Sequence, residues 1–198
     1  MSRARSVVHV LPRLSRGGGS RCAINCVAAC SQAGIEGRIV SLREAEPRLR
    51  AELAERGIAL LEAPGRERLR SELAVADIVQ VDFWNSPELY ELLCGELPPC
   101  RLAIWFLVGG DAAPQLVTDE LLELADRPLS SDVTPGRGEL DRIAGTLDAK
   151  RLEGSAPRAH HGFVIGYIGT VDAVKMHPDF VALCAAVQRP DARFVVCG

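Results

Sequence analysis

Val7-Val8-His9-Val10-Leu11-Pro12, then Arg13-Leu14-Ser15-Arg16-Gly17-Gly18-Gly19-Ser20, then Arg21-Cys22-Ala23-Ile24-Asn25-Cys26-Val27-Ala28-Ala29-Cys30, is the stretch that decides the fold. Val7, Val8, Val10 and Leu11 make a short apolar strand, and Pro12 bounds it. Ala23, Cys26, Val27 and Cys30 recur at the spacing of one helix face. Ser20 reads as the N-cap of that helix and Gly34 as its stop. A strand that delivers a glycine loop to a helix N-terminus aims backbone N–H groups, with the helix dipole behind them, at a space no Cβ blocks. An anion or a sugar can approach there; without a ligand, the same three glycines serve as a flexible entry to the helix. The dinucleotide fingerprint is not met, because counting on from Gly17 and Gly19 puts Cys22 where its third glycine belongs. No Gly-Lys-Ser/Thr follows, which excludes a P-loop. The loop is expected to hold neither NAD nor a triphosphate.

Working outward, residues 37–42 form a second strand through Ile39, Val40 and Leu42. Residues 44–56 suit a helix with Leu49 and Leu53 inward, ended by Gly57, and residues 58–61 a third strand. Arg66, Arg68 and Arg70 lie in a stretch, 43–72, with seven arginines and seven glutamates, so they read as a solvated helix face rather than a phosphate patch. Residues 76–82 are the next strand, and Phe83-Trp84-Asn85-Ser86-Pro87 leaves it. Ser86 caps, and Pro87 opens, a helix through Leu89, Leu92 and Leu93. The apolar run 102–108 suits a strand buried on both faces, with Gly109-Gly110-Asp111 beyond it. Strands alternating with helices predict an α/β fold: a Rossmann-like parallel sheet with helices on both faces. Ligands of such sheets bind beyond the C-terminal strand ends. Three loops fall there, 17–20, 83–85 and 109–111, and the Trp84 indole in the second can stack on a sugar or base or pack as core.

The chain has 198 residues, 47% of them hydrophobic, enough to bury a full domain core. A formal net charge of -3 gives no electrostatic reason to expect nucleic acid as a partner. No apolar run approaches the roughly 18 to 20 residues of a membrane span, and the first residues do not make a signal sequence, so no transmembrane segment and a cytoplasmic location are expected. Seven cysteines form no regular framework. Cys22, Cys26 and Cys30 share a helix face and read as small core residues rather than a thiolate metal cluster. His9, His160, His161 and His177 make no ligand spacing with one another, and no metal is expected.

Residues 118–125 suit one more helix. From 126 to 162 glycines and prolines replace apolar periodicity, as in a connecting segment, with a short strand near Ile143. Phe163 opens a new strand through Gly169; Phe180, Val181, Leu183, Cys184 and Val187 suit a helix, and residues 193–197 a final strand. The expected organisation is a Rossmann-like domain over 1–125, a connector over 126–162, and an incomplete second β-α-β unit over 163–198. A lone unit of that kind cannot cover both faces of its sheet. Its terminal strand is expected to be an open edge, and self-association through that edge is a possible outcome.

Taken together, His9-Val10-Leu11-Pro12 with Gly17-Gly18-Gly19, Asp77-Ile78-Val79-Gln80-Val81 with Phe83-Trp84-Asn85-Ser86-Pro87-Glu88-Leu89, and residues 163–175 resemble the GT-B glycosyltransferases of family four. The resemblance covers residues 6–125 and 140–198. It implies two Rossmann-like domains facing across a cleft, the N-terminal one holding an acceptor and the other a nucleotide-sugar donor, which is a substrate, so no separate cofactor is implied. It implies that Gly17, Gly18 and Gly19 lie against the donor, together with Thr170 and with Lys175, whose ammonium would pair with the diphosphate. It puts Trp84, Asn85, Gly109, Gly110 and Asp111 on the acceptor side. Three departures matter: Thr170 stands where the family commonly has an arginine; Trp105, Phe106 and Leu107 stand where many relatives carry a histidine; and the family's paired donor-site glutamates would fall beyond Gly198. The expectation is a glycosyltransferase fragment without turnover as the 198-residue chain. The alternative is a non-catalytic Rossmann-like module that binds a ligand or partner. A nicotinamide-dependent reductase is disfavoured by the broken fingerprint.

Overall fold

The computed structural model describes residues 5–110, 115–131, 140–146, 153, 159–169, 171 and 176–198. The chain divides into two compact units, Met1–Ala149 and Lys150–Gly198. In the first unit, strands β1 (Ser6–Leu11), β2 (Glu36–Ser41), β3 (Ala59–Glu62), β4 (Ile78–Phe83), β5 (Leu102–Phe106), β6 (Arg127–Ser130) and β7 (Asp141–Arg142) form one sheet. Its order is β3-β2-β1-β4-β5-β6-β7, and every pairing is parallel. Helices α1 (Gly18–Gln32), α2 (Pro47–Glu55), α3 (Arg66–Ala74), α4 (Pro87–Leu93) and α5 (Asp119–Leu124) connect the strands. The expected α/β, Rossmann-like architecture is therefore what the chain adopts.

The two faces of the sheet are covered by different helices. Leu11, Leu14 and Ile39 pack with Ala23, Ile24 and Val27 of α1 and with Leu49 and Leu53 of α2. Val8, Val10, Val79, Val81 and Ile104 pack with Leu73 of α3, Leu89 and Leu93 of α4 and Leu121 of α5. Alternate residues of one strand thus serve opposite cores, which is why β1, β4 and β5 are apolar almost throughout.

Local chemistry sets several boundaries. Ser86 accepts a hydrogen bond from the Leu89 N–H and Pro87 stands at the first helical position, as its fixed φ and missing N–H favour. Gly34 and Gly57 take φ of 71° and 65° just past α1 and α2, a region open to glycine without a Cβ clash. Ser20 is not the N-cap of α1. The helix starts earlier, after Gly17, and the Ser20 hydroxyl accepts a hydrogen bond from the Ser15 N–H at 3.0 Å. The second helix starts at Pro47 rather than residue 44, again because proline suits the first turn.

The stretch read as a connector contributes to the sheet. Ala103 to Phe106 pair with Arg127 to Ser130, and Leu129 and Ser130 with Asp141 and Arg142. The short strand expected near Ile143 is β7, whereas Arg127-Pro128 hid β6; an outer position in the sheet tolerates both residues. The Trp105 indole N–H donates to the Ile143 carbonyl at 3.1 Å, holding the segment after β7 over β5.

In the second unit β8 (Phe163–Ile168) and β9 (Ala192–Cys197) pair in parallel, with α6 (Phe180–Ala185) between them. Neither strand nor α6 contains a buried residue. Among the described residues no helix is long and apolar enough to cross a membrane.

Candidate functional site at the strand-order reversal

From β1 the chain builds outward through β2 and β3, then crosses back to add β4 on the other side of β1. The C-terminal ends of β1 and β4 are where helices depart to opposite faces, and a crevice opens between such ends in open parallel sheets. The loop after β1 is the glycine loop, and the loop after β4 carries Trp84 and Asn85.

The glycine loop is tied down at its flanks and open at its centre. Leu14 is fully buried and its N–H donates to the Ser41 hydroxyl at 2.9 Å; the Ser15–Ser20 bond closes the other side. No atom of the described residues lies within 4 Å of where a Cβ would stand on Gly17 or Gly18, so crowding inside the fold does not explain glycine there. Gly19 is different: a Cβ would meet the Leu107 side chain at 3.3 Å. The first turn of α1 has no side-chain cap and no acidic residue. Its first N–H groups, which have no partner within the helix, and the positive end of a 15-residue helix lie at this loop.

Trp84 is 41% exposed, so its ring is not core, and Asn85 beside it is half-buried. The Leu107 N–H donates to the Phe83 carbonyl at 3.2 Å, carrying the β4–β5 pairing one step past the strands before the two loops part. Gly110 takes a φ of 80° and forms a bridge with Leu116; a Cβ there would stand 3.0 Å from Val117. Gly17, Gly18, Gly19, Trp84, Asn85, Gly109 and Gly110 thus all follow β1, β4 or β5, three neighbouring strands. Asp111, Thr170 and Lys175 lie outside the described residues.

A buried polar pair beneath α1 was not legible as a site. His9 and Asp82, on β1 and β4, are each 1% exposed, with Nδ1 and Oδ2 3.3 Å apart. Gln80 donates to the other carboxylate oxygen at 2.7 Å. Burial alone would lower the His9 pKa, but the hydrogen bond and charge of Asp82, with help from Cys30, override it and raise it from 6.5 to about 9. Among the described residues His9 Nε2 has no hydrogen-bond partner. Sealed from solvent, the pair cannot touch a ligand and acts only by fixing β1 to β4. The signal in the sequence was His9 in β1 and Gln80 and Asp82 in β4, polar residues in the middle of strands otherwise apolar enough to be buried. Cys22 packs with Ala103, Trp105 and Leu129, and burial first, then the Asp82 charge, pushes the Cys26 thiol up to about 12, as suits a core stripe. No metal-holding group of three or more His, Cys, Asp or Glu is found among the described residues.

No protein-family model matches the chain, and no curated protein does. Among solved structures, the chain is similar in fold to an alpha-glucosyltransferase determined in complex with UDP and a 13-mer DNA containing a central A:G mismatch. The match has a TM-score of 0.54 at 13% identity and covers 84% of this chain and 48% of that one. The chain therefore spans about half the length of that protein, and what they share is a glycosyltransferase-like fold.

Proposed function

We propose that the chain is the acceptor-side domain, with the start of the donor domain, of a GT-B glycosyltransferase of family four that transfers a sugar from a nucleotide donor. The observation that carries this reading is the pairing of loops at the reversal between β1 and β4: a glycine loop leading into an uncapped helix, beside an exposed indole. The first suits a diphosphate or sugar and the second the flat face of a sugar ring. The fold likeness to a glucosyltransferase supports the same reading.

In this reading Gly17, Gly18 and Gly19 lie against the donor, with Thr170 and Lys175 contributing from the second unit's sequence. Trp84, Asn85, Gly109, Gly110 and Asp111 face the acceptor. Transfer depends on stabilising the negative charge that develops on the departing diphosphate, for which helix N–H groups and the Lys175 ammonium are suited.

Calorimetric titration with UDP, GDP and their sugars tests the proposal, using this chain beside a longer polypeptide with a complete second domain. Binding is expected in the longer protein. There Lys175→Ala should weaken it roughly 10- to 100-fold, the worth of one charge-assisted hydrogen bond. If neither polypeptide binds any sugar nucleotide, the enzyme reading fails and a non-catalytic binding module takes its place.

A further inference from the structure

The polypeptide after β7 lies on the first unit as a strap whose two ends are held by different means. At residue 143 it is pinned to the sheet: the Ile143 N–H donates to the Ser130 carbonyl at 2.9 Å, and the Ile143 carbonyl accepts from the buried Trp105 indole at 3.1 Å. Three residues on, Thr146 is latched to α1. Its N–H donates to the Cys22 sulfur at 3.3 Å, its hydroxyl donates to the Cys22 carbonyl at 3.2 Å, and its carbonyl accepts from the Asn25 side-chain amide at 3.3 Å.

Each of these three bonds is weak. A thiol sulfur is a poor acceptor, and the Cys22 carbonyl already serves the helix. Aiming the Asn25 amide nitrogen at Thr146 leaves Asn25 Oδ1 buried, with no hydrogen-bond partner among the described residues. An oxygen in that state costs free energy, so the latch gains less than three ordinary bonds would. Thr146 is the releasable end of the strap, and Ile143 the fixed one.

The latch closes on the helix that starts at the glycine loop. Cys22 stands in the second turn of α1, and in an α-helix its N–H is the partner of the Gly18 carbonyl, as the Arg21 N–H is of the Gly17 carbonyl at 3.2 Å. One backbone hydrogen bond therefore separates the latch from the loop. The pairing of Arg21 with Glu52 braces the same stretch from α2, and Thr146 braces it from the strap.

We propose that Thr146 is a positioning residue for the glycine-loop site. Engaged, it fixes the direction of the first N–H groups of α1; released, it lets them move, so the hold of the loop on a ligand depends on the strap. This rests on the reading of that loop as a ligand site.

Backbone amide resonances of Gly18, Gly19 and Ser20 in the 198-residue chain report the loop. Alkylation of Cys22 by iodoacetamide, located by peptide mass mapping, reports the latch, because a thiol 7% exposed reacts through local opening. Thr146→Val should speed that alkylation roughly fivefold, the equilibrium worth of one net hydrogen bond, and should shift the three amides. Thr146→Ser, which keeps the hydroxyl, should restore both. Asn25→Ala removes a second bond together with the orphaned oxygen and places a better helix former in α1, so it should move the amides without lowering stability in urea. Arg142→Gln, exposed on the same strap, should change nothing. Glycine amides unmoved in both latch variants, or shifts that Thr146→Ser does not reverse, overturn the proposal. In the longer polypeptide Thr146→Val should weaken UDP binding about three- to fivefold, and unchanged affinity there overturns the positioning role. A longer parent that binds no sugar nucleotide removes the enzyme reading, while the amides of the shorter chain still decide the latch.

Discussion

Strands β5 and β9 are both largely apolar runs that follow a helix in the chain, yet every residue of β5 is buried and none of β9 is. The sequences, Leu102-Ala103-Ile104-Trp105-Phe106 and Ala192-Arg193-Phe194-Val195-Val196-Cys197, differ far less than the outcomes. What separates them is cover. Cys22 of α1 lies against Ala103 and Trp105, and Leu89, Leu93 and Leu121 of α4 and α5 share the opposite core with Ile104 and Phe106. In the second unit α6 is six residues long and leaves Val181 71% exposed, while Ile168 of β8 is 89% exposed. Two strands of similar apolar sequence thus carry different energetic weight, because that weight comes from the neighbours that cover them.

That contrast can be broken most directly by cavity mutations. Phe83, fully buried with ring centroids 5.3 Å from Phe106 and 5.8 Å from Tyr90, should cost about 3–5 kcal/mol as Phe83→Ala in urea unfolding. Val195→Ala in β9 should cost no more than about 0.5 kcal/mol. Equal costs would mean that β9 is covered after all.

The buried pair sharpens the comparison through pH, because only the first unit seals a histidine away. Folded His9 keeps its proton up to about pH 9, whereas an unfolded histidine releases it near 6.5. Its stabilisation is therefore complete below pH 6.5 and lost as the pH rises through 9, on the order of 3 kcal/mol in all. His9→Gln should flatten the stability curve across that window. A slope that survives the substitution would assign it to another group; above pH 9 the Cys26 thiol, pushed up to about 12, adds its own loss, so the window must stop there.

The smallest effect compares two helix starts. Ser86 accepts from the Leu89 N–H, whereas Asp179 before α6 makes no side-chain cap bond. Ser86→Ala should cost about 1 kcal/mol and Asp179→Ala close to none, measured by thermal unfolding.

Most of the first unit was legible because its signals are local: alternating apolar runs, Ser86 before Pro87, glycines where helices stop. Strand β6 was not, since Arg127-Pro128 reads as a turn and becomes a strand only because β5 offers it a parallel edge. Ser20 was misread because a hydroxyl ahead of an apolar helix face is a cap signal, while here its partner is Ser15 on the loop behind. The site's outline was visible in the glycines and Trp84. The His9–Asp82 contact was not, because the two residues are 73 positions apart and only the register of β1 on β4 brings them together.

The strand order also has a history written into it. A ribosome delivers β1, β2 and β3 first, and these can pair in sequence as they emerge, leaving one side of β1 without a neighbour until Ile78 has been made. During that interval the histidine has no carboxylate, and the central strand of the finished sheet is a margin of the growing one. Synthesis of β4 ends both conditions together, so the step that buries the margin is also the step that brings His9 the carboxylate that holds its proton.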